Sequence, residues 1–151
     1  MEKDGRALMI LMADDDADDR LMTKEALEES RLACHLDFVE DGEELMDYLY
    51  QRGKYAEGAP LPSLILLDLN MPKKDGREAL EEIKADPRLR RIPVVVLTTS
   101  KAEEDIFRSY DLGVNSFIAK PVTFETLVAA MKVIRTYWFE IVELPPTSIG
   151  S

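Results

Sequence analysis

The segment Leu64-Ile65-Leu66-Leu67-Asp68 decides the fold, because four aliphatic residues in it lead directly into a single carboxylate. A short run that is apolar on both faces is typical of a central parallel strand with helices packed on each side. If other runs of this kind are parallel strands too, their polar ends lie together at one edge of the sheet. Three further runs end in polar groups: 8–13 before Asp14 and Asp15, 94–97 before Thr98, and 117–119 before Lys120.

Apolar residues recur at helical spacing between these runs, and the alternation predicts a doubly wound α/β sheet with right-handed crossovers. The stripe of the first predicted helix comprises Leu21, Met22, Glu25, Ala26 and Leu27. In the second predicted helix, Leu45, Met46 and Leu49 face inward. Other segments are assigned by the same pattern and by their glycines and prolines. The predicted helices span 17–29, a segment that opens at Asp41-Gly42, 77–85, 103–112 and 124–137, with an edge strand at 34–39 and a loop at 53–63.

The size and charge of the chain exclude several classes of protein. Its 151 residues fit one domain with one core, and a net charge of −11 argues against binding to a nucleic-acid backbone. Cys34 is the only cysteine, so no intrachain disulfide can form. No signal segment opens the chain, and no apolar run reaches the roughly 20 residues of a membrane span. We therefore expect a soluble cytoplasmic protein with no nucleic-acid and no membrane partner.

Four segments of the chain, in order, resemble the signature segments of the response-regulator receiver domain, which is CheY-like. They are 9–16, 64–76 with Asp68-Leu69-Asn70-Met71-Pro72 and Asp75-Gly76, 94–98, and 117–121. This resemblance implies a flavodoxin-like sheet of five parallel strands in the order 2-1-3-4-5, with five helices. It also implies a receiver domain at 1–138 and a C-terminal tail at 139–151, too short to hold an effector domain. In addition, residues 105–112 and 137–139 resemble the stand-alone response regulators of phytochrome-type histidine kinases.

The acidic strand ends suit phosphoryl transfer. A carboxylate can attack phosphorus to form an aspartyl-phosphate, and Asp68 is the candidate nucleophile. Carboxylates ~4 Å apart repel by about 4 kcal/mol at an effective dielectric constant of ~20, so gathering Asp14, Asp15 and Asp68 favours a bound divalent cation. The resemblance implies that this ion is Mg²⁺ (or Mn²⁺). In the family pattern, Asp15 and Asp68 ligate it directly, Asn70 offers its backbone carbonyl, and Asp14 acts through water.

The resemblance assigns further roles at the other strand ends. Lys120 is the second cation, and Thr98 donates its hydroxyl to the phosphoryl oxygens. Thr98 and Phe117 are also the expected switch residues, since the hydroxyl moves toward the phosphate and the ring rotates inward behind it. Phe117 stands where the family commonly has tyrosine, so it lacks the phenolic hydroxyl, and it could equally be a core residue. The Lys120-Pro121 bond resembles the family's cis peptide.

Each of these residues also has a purely structural interpretation. An aspartate after a strand is commonly a turn residue or a helix cap, a threonine is a common strand residue, and lysine is commonly a surface charge. We expect Asp16, Asp18 and Asp19 to form only a solvated helix start. An EF-hand loop does not fit, because its sixth position would be Asp19 instead of glycine. His35 is expected at the surface and Cys34 as an apolar filler.

The resemblance implies a single-domain two-component response regulator. A histidine kinase, of the phytochrome type on the narrower similarity, would phosphorylate Asp68, and the product would signal to a downstream protein target or pass its phosphoryl group to a phosphotransfer protein. We expect a homodimer through the 103–112 helix, the last strand, the last helix and the tail. In the tail, residues 141–144 could add to a sheet edge or form a frayed terminus.

Two other function classes remain open. A phosphatase with an aspartate nucleophile usually carries a second aspartate two residues later, where this chain has Asn70, which cannot shuttle a proton. We therefore expect no turnover enzyme. A phosphorylation-independent adaptor with the receiver fold usually lacks one of the key residues, and none is missing here. Thr99, larger than the residue often found there, is expected to slow attack of water on the phosphate.

Overall fold

The computed structural model describes residues 8–30, 34–58, 61–69, 71, 73–74, 76–98, 114–119 and 123–136, with the backbone alone at 98, 114–119 and 134–136. From β1 to β4, strands and helices alternate as the sequence predicts. The strands are β1 (Leu8–Ala13), β2 (Cys34–Val39), β3 (Leu64–Asp68), β4 (Val94–Thr98) and β5 (Val114–Ala119). The helices are α1 (Ala17–Ser30), α2 (Gly42–Tyr50), α3 (Gly76–Ala85) and α4 (Phe124–Thr136), with a 3₁₀ turn at Gly53–Tyr55.

The strands form one parallel sheet with the order β2-β1-β3-β4-β5. Strand order reverses beside β1, because β2 lies on one side of it and β3 on the other. In open α/β sheets, ligands bind outside the carboxyl ends of the strands at such a point. The predicted α/β class is therefore confirmed. The predicted helix at 103–112 lies outside the described residues, so the count of five helices stays a prediction.

The sheet separates two apolar layers. Every residue of β3 is buried, as expected for a strand covered on both faces. Alternate residues of β1 and β3 point to opposite faces, so each strand supplies both layers. One layer contains Leu11, Ile65 and Leu67 with Leu45, Leu49, Leu80 and Ile83 of α2 and α3. The other contains Ile10, Met12, Leu64 and Leu66 with Ala26 and Leu27 of α1 and Leu127 and Met131 of α4.

Helix α2 begins with a variant of the capping box, in which the Glu44 side chain reaches the residue before the N-cap Asp41. Asp41 Oδ1 accepts a hydrogen bond from the Glu44 backbone N–H at 2.7 Å, and Glu44 Oε1 accepts one from the Glu40 N–H at 2.9 Å. Two backbone donors at the helix start are thus satisfied by side chains. The prediction that Asp41-Gly42 opens a helix is confirmed, and the box fixes the direction in which the chain leaves β2.

A cluster of tyrosines and acids, called here the tyrosine network, ties α2 to the edge strand and to the 3₁₀ turn. The Tyr48 hydroxyl donates to Asp37 Oδ2 at 2.6 Å, and the Tyr55 hydroxyl donates to Glu44 Oε2 at 2.5 Å. Lys54 Nζ lies 3.0 Å from the same Glu44 oxygen, and the two tyrosine rings are 4.9 Å apart. Burial and the neighbouring carboxylates raise the pKa of both tyrosines. Each acid of the network therefore has a donor facing it.

Two details of the prediction are wrong. Leu21 is 56% exposed instead of lying on the apolar stripe of α1. The helix buries Thr23 and Ala26 with Leu27, and the Thr23 hydroxyl can be buried because it donates to the Asp19 carbonyl at 2.9 Å.

Strand β5 begins at Val114, three residues before the predicted start at Phe117. Of the helices in the described ranges, none combines the length and apolar character needed to span a bilayer.

Candidate metal and phosphoryl site

Strand register brings two of the predicted acids to the same edge. Ala13 of β1 pairs with Leu67 of β3, and the next residues in the chain are Asp14 and Asp68. Since the two strands are parallel, both carboxylates emerge at the same carboxyl end of the sheet. Asp15 follows in the loop between β1 and α1.

Carboxylate oxygens of Asp14, Asp15 and Asp68 all lie within 4.8 Å of one another, and we call this group the acid triad. Asp14 and Asp68 are fully buried, with 0% and 1% exposure, whereas Asp15 is exposed. The triad thus has a buried floor formed by two strand ends and one side open to solvent. The sequence-based prediction that these three residues converge agrees with this geometry.

The loop that carries Asp14 and Asp15 is held by local hydrogen bonds. Asp14 Oδ1 accepts from the Asp16 N–H at 2.9 Å, and the Asp14 carbonyl accepts from Arg20 Nη1 at 2.8 Å. Asp16 Oδ1 in turn accepts from the Asp18 N–H at 2.8 Å, as a helix cap does. The structural interpretation of Asp16 as part of a helix start therefore agrees with the structure. Asp14 and Asp15 stay the predicted site residues of this loop.

The loop after Asp68 returns tightly against its own strand. The Leu69 N–H donates to the Leu97 carbonyl at 3.3 Å, and the Gly76 N–H donates to the Leu69 carbonyl at 3.0 Å. A Cβ atom added to Gly76 would lie 2.4 Å from the Asp68 carbonyl oxygen, a distance that real Cβ atoms essentially never show. Glycine is required there because α3 starts directly against the backbone of Asp68.

The charges of the acid triad call for a cation. Unit negative charges separated by ~4–5 Å repel by about 3–4 kcal/mol at an effective dielectric constant of ~20. Hard divalent cations bind to carboxylate oxygens, and Mg²⁺ typically uses only one or two protein carboxylates and keeps several waters. A triad with two buried carboxylates and one exposed carboxylate fits such an ion, because the open side leaves room for water and for a phosphate oxygen.

For the other predicted site residues, the structure describes the backbone alone, or their position lies outside the described residues. Thr98 is the last residue of β4, and its Cα pairs with that of Ala119 in β5, the residue before Lys120. Phe117 lies in β5 with its Cα paired to that of Val96. The side chains of Thr98 and Phe117, and all of Asn70 and Lys120, lie outside the described atoms. Their assigned roles stay predictions.

Two further residues for which we predicted only a structural place, His35 and Cys34, have the expected exposure. His35 is exposed, and its Nε2 lies 3.2 Å from Asp37 Oδ1. Cys34 is half-buried, and burial raises the pKa of its thiol, which makes the thiolate scarce. Neither residue contributes an atom to the acid triad.

Sequence reasoning missed the residues that hold the loops of the site. Arg20 reaches back to the Asp14 carbonyl, and Asp41 and Gly42 touch the loop after β3. The sequence carried one signal for Arg20, a single basic residue directly after an acidic run. It carried none for Gly42, whose contact joins loops far apart in the chain.

Comparisons with known proteins agree with this arrangement. Residues 10–132 match the family model of the response regulator receiver domain. The response regulator Rcp1 of Synechocystis sp. is 47% identical over 138 residues, which cover 91% of this chain and 92% of Rcp1. The family drawn from the sequence is therefore confirmed, and similarity to the phytochrome response regulator RcpA confirms the narrower resemblance.

Two solved structures are also similar. The crystal structure of the phosphorylated cyanobacterial phytochrome response regulator RcpA has a TM-score of 0.77 and 49% identity, over 89% of this chain and 96% of that chain. The Mn²⁺-bound form of Rcp1 has a TM-score of 0.77 and 46% identity, over 91% and 99% of the two chains. Taken with the sheet order and the acid triad, these similarities show that the chain belongs to the response-regulator receiver family.

Proposed function

We propose that this protein is a phosphoacceptor switch in which a histidine kinase transfers a phosphoryl group to Asp68. The observation that carries the proposal is the acid triad, where buried Asp68 lies with Asp14 and Asp15 at the carboxyl edge of the sheet. A carboxylate at this edge can meet a donor that approaches from outside the sheet, and carboxylates are established covalent nucleophiles toward phosphorus.

The residues present fit a divalent metal ion, and the Mn²⁺-bound form of the relative Rcp1 supports this assignment. We assign Mg²⁺ as the physiological ion, with Mn²⁺ as a substitute. Asp15 and Asp68 would hold it directly, Asn70 through its backbone carbonyl, and Asp14 through water. When bound, the ion offsets the negative charge of the carboxylates and of the transferring phosphoryl group.

The chain's own residues would carry out the transfer as follows. An Asp68 oxygen forms a bond to phosphorus while the bond from phosphorus to the donor histidine nitrogen breaks, so an acyl phosphate replaces a phosphoramidate. Lys120 and the Thr98 hydroxyl would stabilise the phosphoryl oxygens during transfer and in the product. The donor histidine leaves as a neutral imidazole when its other ring nitrogen carries a proton, so no general acid from this chain is required. This agrees with Asn70 in place of a second aspartate two residues after Asp68.

The product would act as a switch and not as an enzyme that turns over a substrate. A near-complete change of conformation requires about 5.5 kcal/mol of differential stabilisation. We assign this coupling to Thr98 and Phe117, the residues expected to follow the phosphate. The signal would reach a downstream protein target by contact, or the phosphoryl group would move on to a phosphotransfer protein.

A phytochrome-type histidine kinase is the proposed donor. The support is similarity, since RcpA, at 49% identity, is a phytochrome response regulator. We place the protein in the cytoplasm, where such a kinase would present its phosphohistidine.

We also propose a homodimer that includes α4. Val133 on this helix is 69% exposed, and Ala129, one turn earlier on the same face, is also exposed. Val133→Glu would shift the protein toward monomer in sedimentation, because it places a charge on the apolar contact. Leu21→Glu, at a comparably exposed leucine of α1, is the matched control. Monomer alone at micromolar concentration, with and without phosphorylation, would contradict the dimer.

One incubation separates the function classes. The protein is mixed with Mg²⁺ and a small acyl-phosphate donor, and its intact mass and the free phosphate are followed. A stable gain of one phosphoryl group supports the switch, whereas catalytic release of phosphate indicates a hydrolytic enzyme. No reaction indicates a phosphorylation-independent adaptor with the receiver fold. A Thr99→Ala variant tests whether Thr99 slows the attack of water on the aspartyl-phosphate. An unchanged rate of dephosphorylation would exclude this role.

A further inference from the structure

One loop carries Asp14 and Asp15 of the acid triad, a second loop begins directly after Asp68, and one short segment contacts both loops. This segment is residues 39–42, the β2–α2 junction, which ends the edge strand and opens α2. It supplies no ligand atom to the triad. We propose that the β2–α2 junction positions the two ligand loops relative to each other and thereby sets the metal affinity. This inference rests on the proposed function, because it concerns the same metal site.

The first contact is with the loop between β1 and α1. The Asp14 N–H donates to the Val39 carbonyl at 3.0 Å. On its other side, the Asp14 carbonyl accepts from Arg20 Nη1, and Arg20 Nη2 lies 3.8 Å from Glu40 Oε2 of the junction. The backbone of Asp14 is therefore held from both ends, directly by Val39 and indirectly by Glu40. The carboxylates of Asp14 and Asp15 are therefore attached to a segment of backbone that is held in place.

The second contact is with the loop between β3 and α3, which contains Asn70. A Cβ atom at Gly42 would lie 1.9 Å from the Lys74 carbonyl oxygen and 2.6 Å from the Lys74 carbonyl carbon. Both of these are backbone atoms, so relief of the clash would require the loop and the start of α2 to move apart. Beside it, Asp41 Oδ2 lies 3.7 Å from Lys73 Nζ, and Lys73 has a left-handed backbone with φ of 64°. The loop thus rests directly on the start of α2.

The junction is built as a rigid support. Val39 is paired with Ala13 in the sheet, and the capping box between Asp41 and Glu44 fixes the first turn of α2. Glu44 is anchored in turn by the tyrosine network. A displacement of either ligand loop would therefore have to break contacts to a well-anchored body.

Metal affinity should depend on this support for a geometric reason. Mg²⁺ requires near-ideal octahedral geometry, and its proposed ligands come from the loop after β1, from the last residue of β3 and from the loop that follows β3. Contacts outside the ligand sphere that orient ligands are commonly worth roughly 10- to 100-fold in metal affinity. Arg20, Glu40 and Gly42 are positioning residues of this kind, since they act through Asp14 and through the β3–α3 loop.

The test is direct Mn²⁺ titration by electron paramagnetic resonance, which follows the free ion and needs no phosphoryl donor. Gly42→Ala moves the β3–α3 loop without any change of charge. Arg20→Lys keeps the charge near the triad but loses the planar fork that reaches two oxygens. The matched control is Gly58→Ala, which strains a left-handed backbone outside the junction and the tyrosine network, and whose added Cβ atom would meet nothing within 4 Å.

We expect Mn²⁺ affinity to fall roughly 10- to 100-fold in Gly42→Ala and about tenfold in Arg20→Lys, and to stay within about twofold in Gly58→Ala. Circular dichroism confirms folding of each variant, and if Gly42→Ala is unfolded, Arg20→Lys decides the test. Wild-type affinity in the folded junction variants overturns the positioning role while the proposed function stands. A wild-type protein that binds no Mn²⁺ overturns both.

Discussion

Carboxylates gather in two regions of this molecule, and their surroundings differ. In the tyrosine network, Asp37 and Glu44 each face a phenolic hydroxyl, and Glu44 also faces an ammonium group. In the acid triad, Asp14 Oδ1 accepts from the Asp16 N–H, and oxygens of three carboxylates also lie within 4.8 Å of one another. The first arrangement stabilises the fold as it stands, whereas the second favours a divalent cation. A cluster of acidic residues is therefore a poor indicator of a metal site by itself. The groups that lie opposite each carboxylate are a better indicator.

The same comparison explains where chemistry can occur. The acids of the tyrosine network accept hydrogen bonds from donors on α2 and the 3₁₀ turn, so their lone pairs are used inside the protein. The acids of the triad lie at the carboxyl ends of β1 and β3 or just beyond, at the point where strand order reverses. A ligand from solvent can reach this edge.

The largest expected effect is on phosphorylation, which should depend on an acid of the triad and not on an acid of the tyrosine network. Asp68→Asn removes the nucleophilic oxygen, so incubation with Mg²⁺ and an acyl-phosphate donor should give no phosphoryl adduct in intact mass. Asp37→Asn, in the tyrosine network, should be phosphorylated like the wild type. Adduct formation in Asp68→Asn, or its loss in Asp37→Asn, would reverse the functional assignment of the two regions.

The second effect concerns stability without metal. Asp14→Asn keeps the oxygen that accepts from the Asp16 N–H but removes one of the converging charges. In the presence of a chelator, the free energy of unfolding should rise by about 1–3 kcal/mol, since repulsion within the triad is relieved. Saturating Mg²⁺ should reduce the difference in the free energy of unfolding between the variant and the wild type, because ligand binding stabilises the wild type by mass action. Urea unfolding with and without Mg²⁺ measures both changes, and a less stable metal-free variant would contradict the repulsion.

A smaller effect is expected in the tyrosine network. Tyr48→Phe removes the hydroxyl that donates to Asp37 and leaves the ring in place. The free energy of unfolding should fall by about 1–2 kcal/mol, because a hydrogen bond to a charged group is lost. Urea unfolding gives the change, and phosphorylation of Asp68 should be unaltered. A loss of phosphorylation in this variant would show that the two regions are coupled in function.

The smallest effect is a pH dependence. Burial acts to raise the pKa of Glu44, but hydrogen bonds from Tyr55 and the Glu40 backbone, together with Lys54, outweigh it and hold the pKa below its ordinary value of 4.5. A carboxyl with a lowered pKa stabilises the fold above its unfolded pKa, and this stabilisation is lost as pH falls through the folded value. The stability difference between wild type and Glu44→Gln should therefore shrink from pH 6 to below pH 4. A difference that is constant with pH would contradict the lowered pKa.

The strand ends and the acid triad were predictable from sequence, for a physical reason. A strand covered on both faces must be apolar throughout, so its carboxyl end is marked by the first polar residue, as at Asp68. Parallel pairing then brings such ends together without any knowledge of loops. The prediction of the site depended on four strand ends and on no detail of packing.

The rotation of α1 and the support of the ligand loops were not predictable in this way. Leu21 has the right spacing for the apolar stripe, yet the helix buries Thr23 instead, because the threonine hydroxyl can be satisfied by the backbone of its own helix. The contact of Gly42 with Lys74 joins residues that have no periodic relation. Such contacts are fixed by the three-dimensional approach of two loops, which a single sequence does not encode as a pattern.

The central claim is that one oxygen of Asp68 accepts a phosphoryl group at a site that depends on a divalent ion. Reduction of the phosphorylated wild-type protein with borohydride, followed by peptide mapping, tests it most directly, since an aspartyl-phosphate is converted to homoserine. We predict homoserine at position 68 alone, formed when Mg²⁺ is present and absent when it is chelated. Homoserine at another aspartate, or equal labelling without a divalent ion, would contradict the account.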